Sequence, residues 1–348
     1  MRKSLERLGL GVALIAAVST LLLVSDWRSR GTARGLPRVA VFQFASRPLL
    51  DEAVKGAIDG MAAKGAIDGK TVRLQRFNSE NDLPTANNIA KAILDARFDM
   101  VVTVSTPCLQ VMATVNREGK MLHVFGAVTD PAGAGVGISR ANPLDHPRHL
   151  VGVGTFQPVR ESLTLARQMY PGLRVIGMVR NPSEACAEAC AVVAREVSKE
   201  LGIRLLEATV ENSAGVLEAS NSLVARGAEA LLIGCDNTVE MSMTSVVKAA
   251  NQGRIPVIGL APGHVDVGAL AGLGADYYQV GRAIGGLAGD ILNGRDPRAV
   301  RIENVLPKTL TFNLSVIPTL RDPWSVPPEV LKTASWIIDE HGRRVTRP

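Results

Sequence analysis

Six short polar clusters, each directly after an apolar run, are where this chain could do chemistry. They read Gln43 to Pro48 ("QFASRP"), Ser105 to Cys108 ("STPC"), Val128 to Gly135 ("VTDPAGAG"), Arg180 to Ala185 ("RNPSEA"), Gly234 to Val239 ("GCDNTV") and Ala261 to Leu270 ("APGHVDVGAL"). One such cluster is a helix cap, because Ser, Thr, Asp and Asn satisfy the free N–H groups of a helix start. Six of them at corresponding strand ends describe a lined cleft. Ser105 and Thr106 ahead of Pro107 set hydroxyls and free backbone N–H groups at a helix N-terminus, where the dipole favours an anion such as a carboxylate. Asp236 and Asn237 supply an acceptor and an amide suited to an ammonium or amide group. Together these complement a zwitterion, and the chemistry they fit is capture of a solute.

Motifs for turnover fail on inspection. There is no G-x-S-x-G nucleophile elbow. "GAIDGKT" (65–71) is one residue short of a phosphate loop and leads into a strand where that loop needs a helix. "DHPRH" (145–149) has two histidines with only Asp145 beside them, too few ligands for zinc. Cys108 at a helix start could have a lowered pKa, but no base is placed near it by spacing. Cys186 and Cys190 stand one helical turn apart, which disfavours a disulfide and supplies only two metal ligands. The four cysteines do not make a disulfide scaffold at this length, so this pair reads as core or helix-face packing. No enzyme, metal or cofactor is expected.

The elements that must position these clusters alternate. "RVAVFQF" (38–44), "TVRLQRFN" (71–78), "MVVTVST" (100–106) and "MLHVFGAV" (121–128) are apolar or β-branched runs separated by amphipathic helical stretches. After a Gly/Pro/His-rich loop (129–150) and "VGVGTF" the pattern restarts with "RVIGMVRN" (174–181), "RLLEATV" (204–210), "ALLIGCD" (230–236) and "PVIGLAPG" (256–263). Helices are expected near 183–200, 214–227 and 238–252. This is the parallel βαβ signature, and it predicts an α/β protein of two doubly wound parallel-sheet lobes. In open parallel sheets ligands sit beyond the carboxyl ends of the strands, which is where the six clusters fall. The long helix after "GALAGLGADYYQVG" and the strand-like "ENVLPKTLTFNLSV" (303–316) cannot bury themselves alone, so they are expected to return to the first lobe. The resulting division is a leading segment 1–35, lobe 1 at 36–156 plus 277–316, lobe 2 at 157–276 and an extension at 317–348. Several crossings between lobes make a hinge.

Charge excludes one function class. Of the net charge of +6, four units come from residues 1–34, so the remaining body is nearly neutral. Without a basic stripe, and with aromatics at 4%, the chain has no surface for tracking or stacking nucleic acid. The uncharged run Leu8 to Val24, framed by Arg2, Lys3, Arg7 and then Arg28, Arg30, is an export signal or a membrane anchor. Its length, the lack of a close A-x-A site and the lack of a lipidation cysteine favour an uncleaved anchor over a cleaved signal. The positive flank keeps that end in the cytoplasm and sends the body outward, which predicts an extracytoplasmic, periplasmic-side location.

The layout and the motifs "TVSTPCLQ", "TDPAGAG", "NPSEA", "GCDNTV" and "GALAGLGADYYQVG", over roughly residues 37–315, resemble the type 1 periplasmic-binding-protein fold. More narrowly, the chain resembles the ABC-transporter substrate-binding family that includes tryptophan- and tyrosine-binding proteins. That resemblance implies a solute held between two lobes that close on it and are presented to a membrane permease. It implies that Ser105, Thr106 and Pro107 hold the ligand carboxylate, that Asp236 and Asn237 face it from the other lobe, and that Thr129, Asp130, Asn181 and Glu184 line the cleft. Phe44, Ser46 and Arg47 fall in the first-strand loop. Where members often carry a His-containing sequence, this loop reads "QFASRP", and Arg47 there suits a second anionic group. The expected function is capture of a small amino-acid-like or carboxylate-bearing solute for an ABC transporter. The alternative is a membrane-tethered sensor that presents the solute to a signalling partner. An enzyme using Cys108 or Asp236 ranks behind both, and a DNA-binding repressor of related fold conflicts with the apolar N-terminus.

Overall fold

The computed structural model describes residues 35–346; residues 1–34, which carry the expected signal or anchor, and 347–348 lie outside the described residues. Among the described residues no helix is long and apolar enough to cross a membrane.

Lobe 1 opens with β1 (Arg38–Gln43), α1 (Pro48–Ala63), β2 (Arg73–Asn78), α2 (Leu83–Asp95), β3 (Met100–Val104), α3 (Thr106–Val115), β4 (Leu122–Val128) and β5 (Leu150–Gly154). Lobe 2 follows with α4 (Val159–Met169), β6 (Val175–Arg180), α5 (Ala185–Glu200), β7 (Arg204–Thr209), α6 (Val216–Ala225), β8 (Ala230–Ile233), α7 (Asn237–Glu240), α8 (Met243–Gly253), β9 (Val257–Gly259) and β10 (Ala271–Ala275). The chain ends with α9 (Tyr277–Leu292), β11 (Glu303–Asn304), β12 (Lys308–Asn313), α10 (Pro328–Leu331), β13 (Trp336–Ile338) and β14 (Arg344–Thr346).

The first sheet has the order β11-β5-β4-β3-β1-β2 and is parallel throughout. The second has the order β14-β13-β12-β10-β9-β8-β6-β7, parallel from β7 to β10. Both reverse direction after their first strand, between β1 and β3 and between β6 and β8, which opens a crevice at the carboxyl ends of those strands. Central strands must be apolar on both faces because helices cover each side. Accordingly "MVVTV" in β3 and "ALLI" in β8 are buried at every position, while edge strand β2, "RLQRFN", has no fully buried residue.

Three crossings join the lobes and are hydrogen-bonded to one another. Val305 N donates to Gly154 O at 2.8 Å, Phe156 N to Asn304 Oδ1 at 2.5 Å, and Asp276 N to Pro307 O at 2.8 Å. After the middle crossing, α9 packs along α1 through small residues. A Cβ added at Gly56, Gly60, Gly281 or Gly285 would run into the facing helix backbone, so only glycine permits this approach. The expectation that 303–316 completes lobe 1 holds only for β11, which pairs with β5. β12 instead pairs antiparallel with β10 in the second sheet, and residues 314–316 follow it. The two residues of β11 end at the third crossing, so the chain has already changed lobes when β12 begins. The extension docks on lobe 2 as well: β13 pairs with β12, and buried Trp324 lies 5.2 Å, centroid to centroid, from Tyr170.

Candidate functional site

The two crevices face each other, and the first-strand loop of lobe 1 spans them. Arg47, the N-cap of α1, reaches from lobe 1 to α7 of lobe 2. Its Nη1 is ion-paired with Glu240 Oε2, and its Nη2 donates to Asn237 Oδ1 at 2.6 Å. Burial pulls the guanidinium pKa down, against the opposing pull of Tyr277, Glu184, Cys186 and Asp236 around it. A second anionic group was expected to occupy Arg47; Glu240 of the protein itself fills that role.

Glycine and a left-handed residue build the lobe 2 turn. Gly234 has φ +154° and no room for a Cβ, which would run into the Leu260 side chain, and Cys235 has φ +63°. Asp236 follows, with a relative exposure of 1%, and accepts from Asn181 N at 2.6 Å and from Val239 N at 2.9 Å. Those bonds favour the carboxylate, but burial and the neighbouring Glu184 charge outweigh them and push Asp236 up to about 7. Glu184 is consumed by the turn: it accepts from Asn237 N and Nδ2 at 2.8 and 2.6 Å and from Thr238 N and Oγ1 at 2.9 and 2.7 Å. Asn181 Nδ2 donates to Thr238 Oγ1 at 3.0 Å. Asn181 and Glu184 thus shape the turn that presents Asp236 and Asn237.

The same turn is stapled to α5. Cys235 is disulfide-bonded to Cys190, with Cα atoms 6.3 Å apart. The packing role expected of Cys190 is therefore corrected: spacing argued correctly against pairing with Cys186, but the true partner is 45 residues away in sequence. Cys186 remains a free, buried thiol, pushed well above its ordinary pKa by burial and by Glu184.

In lobe 1, Ser105 takes φ +112°, rare for a residue with a Cβ, and both Ser105 and Thr106 are buried. Ser105 N donates to Gly126 O at 3.1 Å, and its Oγ accepts from Cys108 N at 3.5 Å, a long cap. Pro107 sits in the first helical turn, where a missing N–H costs nothing. Burial drives the Cys108 thiol far above its ordinary pKa, so it holds no thiolate for nucleophilic attack. Phe44 is buried, whereas Ser46 is exposed and bonded to Glu80 and Asn78. Asp130 caps its own turn through Gly133 N at 3.1 Å and pairs with Arg140 at 2.6 Å; Thr129 beside it is buried. Direct contacts across the lobes join Arg47 to Asn237 and Glu240; no direct hydrogen bond or ion pair links Ser105, Thr106, Thr129 or Asp130 to lobe 2 among the described residues.

Several neighbours went unseen in sequence. Gln157, on the first crossing, donates from Nε2 to Tyr277 Oη at 2.7 Å. Burial raises the Tyr277 pKa and pulls buried His264 down to about 3, leaving it neutral. His264 and Tyr277 lie in motifs already prominent in the sequence. Gln157 and Glu240 carry no local signal.

Two facing α/β lobes joined by three crossings, with buried polar strand ends between them, define a two-lobed solute-binding fold of the type 1 periplasmic class. The chain belongs to the ABC transporter substrate binding protein family, whose model matches residues 38–335. That is a family of binding proteins and not of enzymes. A curated relative, the tyrosine-binding protein of Clostridioides difficile (strain R20291), is 29% identical over 328 residues, covering 92% of this chain and 93% of the relative. A conserved domain protein from Vibrio cholerae has a similar structure, with TM-score 0.81, 30% identity and coverage of 87% of this chain and 100% of that one. The ABC domain solved with L-Trp from Streptococcus pneumoniae shares the fold, at TM-score 0.80 and 24% identity over 87% and 100% of the two chains.

Proposed function

We propose that this chain is an extracytoplasmic receptor that captures a small carboxylate-bearing, amino-acid-like solute between its lobes and delivers it to an ABC permease. The observation that carries the reading is the buried Asp236 carboxyl, presented with Asn237 at a turn braced by Glu184, Asn181 and a disulfide. A buried carboxyl with this much scaffolding is an anchor for a cationic group, and the α3 N-terminus with Ser105, Thr106 and Pro107 suits the solute's carboxylate. Phe44, Ser46, Arg47, Thr129 and Asp130 complete the proposed lining from lobe 1. The curated tyrosine-binding relative supports an amino acid as the solute class. The three crossings serve as the hinge on which the lobes open. A disulfide persists in oxidising compartments, which supports a location outside the cytoplasm, tethered or exported through the N-terminal segment.

Calorimetry over amino acids and small organic acids tests this directly. Saturable binding of an amino acid, lost in Asp236→Ala, is the expected result; a folded protein that binds nothing across a broad metabolite panel refutes it. The same site would serve a membrane-tethered sensor, which the sequence's anchor-like N-terminus favours. Neighbouring permease and ATPase genes point to transport, and a kinase gene to sensing.

A further inference from the structure

The segments that lead into β1 to β5 lie at the amino ends of a wholly parallel sheet, so they gather at the pole of lobe 1 farthest from the cleft. Residues 35–38, 64–73, 96–100, 116–122 and 145–150 hold eight basic and four acidic side chains there, a net charge of +4. Residues 35–348 as a whole carry +2, so the rest of the body is net acidic. The surface is assembled from five separate segments, which is why no basic run announces it in the sequence.

Cations commonly finish helices, where they satisfy free carbonyls and the negative end of the dipole. At the corresponding end of lobe 2 four arginines fit that explanation: Arg167, Arg226, Arg254 and Arg321 donate to the carbonyl oxygens of Leu201, Glu207, Thr319 and Ala228. In lobe 1 Arg38 does so at Ala96 O. Lys70, Arg73, Arg97, Arg117 and Arg148 are exposed, and their side chains have no hydrogen-bond or ion-pair partner among the described residues. Glu118 is paired with Lys120, while Asp68 and Asp99 accept from the backbone N–H groups of Leu74 and Arg38. Asp95 and Asp145 are left against five free cations.

Two exposed apolar side chains stand among these cations. Leu36 precedes Pro37, whose carbonyl accepts from Arg73 N at 2.8 Å, and the Ile67 carbonyl accepts from Lys70 N at 3.1 Å. Apolar side chains beside free lysine and arginine suit the headgroup layer of an anionic membrane. The expected membrane segment also adjoins this pole. Its apolar run ends at Val24 and β1 begins at Arg38, so the connection, residues 25–37, reaches at most about 45 Å and enters the fold here. Arg28, Arg30 and Arg34 in that connection add positive charge against Asp26.

We infer that the amino-end pole of lobe 1 is a lipid-binding surface that rests on an anionic phospholipid bilayer through Lys70, Arg73, Arg97, Arg117 and Arg148, with Leu36 and Ile67 at the contact. The cleft then stands clear of the headgroups, and lobe 2 opens and closes while lobe 1 stays in place. This rests on the membrane location of the N-terminal segment and is independent of which solute is bound.

The test uses the full-length chain reconstituted in nanodiscs of phosphatidylcholine, alone or mixed with phosphatidylglycerol. A thiol-reactive dye on Ala63→Cys, exposed at the end of α1 on this pole, reports quenching by a lipid-borne quencher; the dye on Lys248→Cys, exposed on α8 of lobe 2, is the control. Native Cys108 and Cys186 are buried and Cys190 and Cys235 are disulfide-bonded, so the dye goes to the introduced thiol. Quenching at position 63 should be at least about five-fold stronger with phosphatidylglycerol than without, and should fall to the zwitterionic level in about 1 M salt, where the Debye length is about 3 Å. Replacing the five cations together by glutamine should give the same loss, and the salt series serves if that variant fails to fold as judged by circular dichroism. Equal quenching in the two lipids assigns the cations to some other partner and overturns the inference, as does quenching that survives high salt; either leaves solute capture untouched. A chain that does not stay with the bilayer overturns the tether and the inference together.

Discussion

The Asp236 carboxyl gives the site a pH dependence whose sign and size can be worked out. Burial and the Glu184 charge raise it from an ordinary value of 3.8 to about 7 in the solute-free protein. A solute ammonium beside it stabilises the ionised form and lowers that value, so binding expels the proton wherever the free protein holds it. Affinity should therefore be flat above about pH 7 and fall on acidification with a slope approaching one decade per pH unit, a loss on the order of 100-fold at pH 5. At pH 7 roughly half a proton should leave per solute bound, which calorimetry in buffers of different ionisation enthalpy measures directly. Asp236→Asn should bind more weakly at pH 8 and show neither the slope nor the proton release. The free protein supplies an independent check. Because the folded-state pKa lies above the unfolded one, the native state holds the extra proton between about pH 4 and 7, and stability from this group is lost as pH rises through that window. Affinity that is constant from pH 5 to 8 in the wild type, or a slope that persists in Asp236→Asn, would refute the assignment of the ammonium to Asp236.

Three other outcomes follow from the packing. Breaking a buried ion pair by removing one partner costs about 3–5 kcal/mol when the survivor stays buried. Glu240→Gln strands Arg47, but the lobes can part to rehydrate it, so small-angle scattering should show a larger radius of gyration for the solute-free variant with little loss of melting temperature. Replacing Cys190 and Cys235 together by alanine opens a loop of 45 residues. On the loop-entropy model this should cost about 4 kcal/mol, read as a lower thermal midpoint that a dithiol reductant reproduces in the wild type and leaves unchanged in the variant. Gly285→Ala sets a Cβ against the Ala57 carbonyl in the α1–α9 seam and should destabilise the protein in urea unfolding by about 1–3 kcal/mol, the range for overpacking. Gly263→Ala, which meets nothing, is the matched control and should stay within about 0.5 kcal/mol.

What could be read in the sequence was whatever is written locally. β3 and β8 are legible because a strand covered on both faces must be an unbroken apolar run, and the "STPC" and "GCDNTV" clusters because a cap must immediately precede its helix. The parallel βαβ order then places those caps at one end of each sheet, which is why Ser105 and Asp236 could be singled out without coordinates. Arg47 with Glu240, Cys190 with Cys235 and Gln157 with Tyr277 have no such signature, for their partners are brought together by tertiary packing, across the lobes for Arg47 and within lobe 2 for the disulfide, over separations of 193, 45 and 120 residues. β12 shows the same limit in the fold: its alternation announces a strand, but two sheets offered an edge, and only the lateral pairing with β10 chose between them. The division has a functional consequence. The locally encoded caps suit the groups every amino acid shares, its carboxylate and ammonium, whereas Arg47 meets Glu240 and Asn237 only when the lobes come together. A sequence of this kind can thus announce the class of solute through its strand ends while leaving the contacts between its lobes to be seen only in three dimensions.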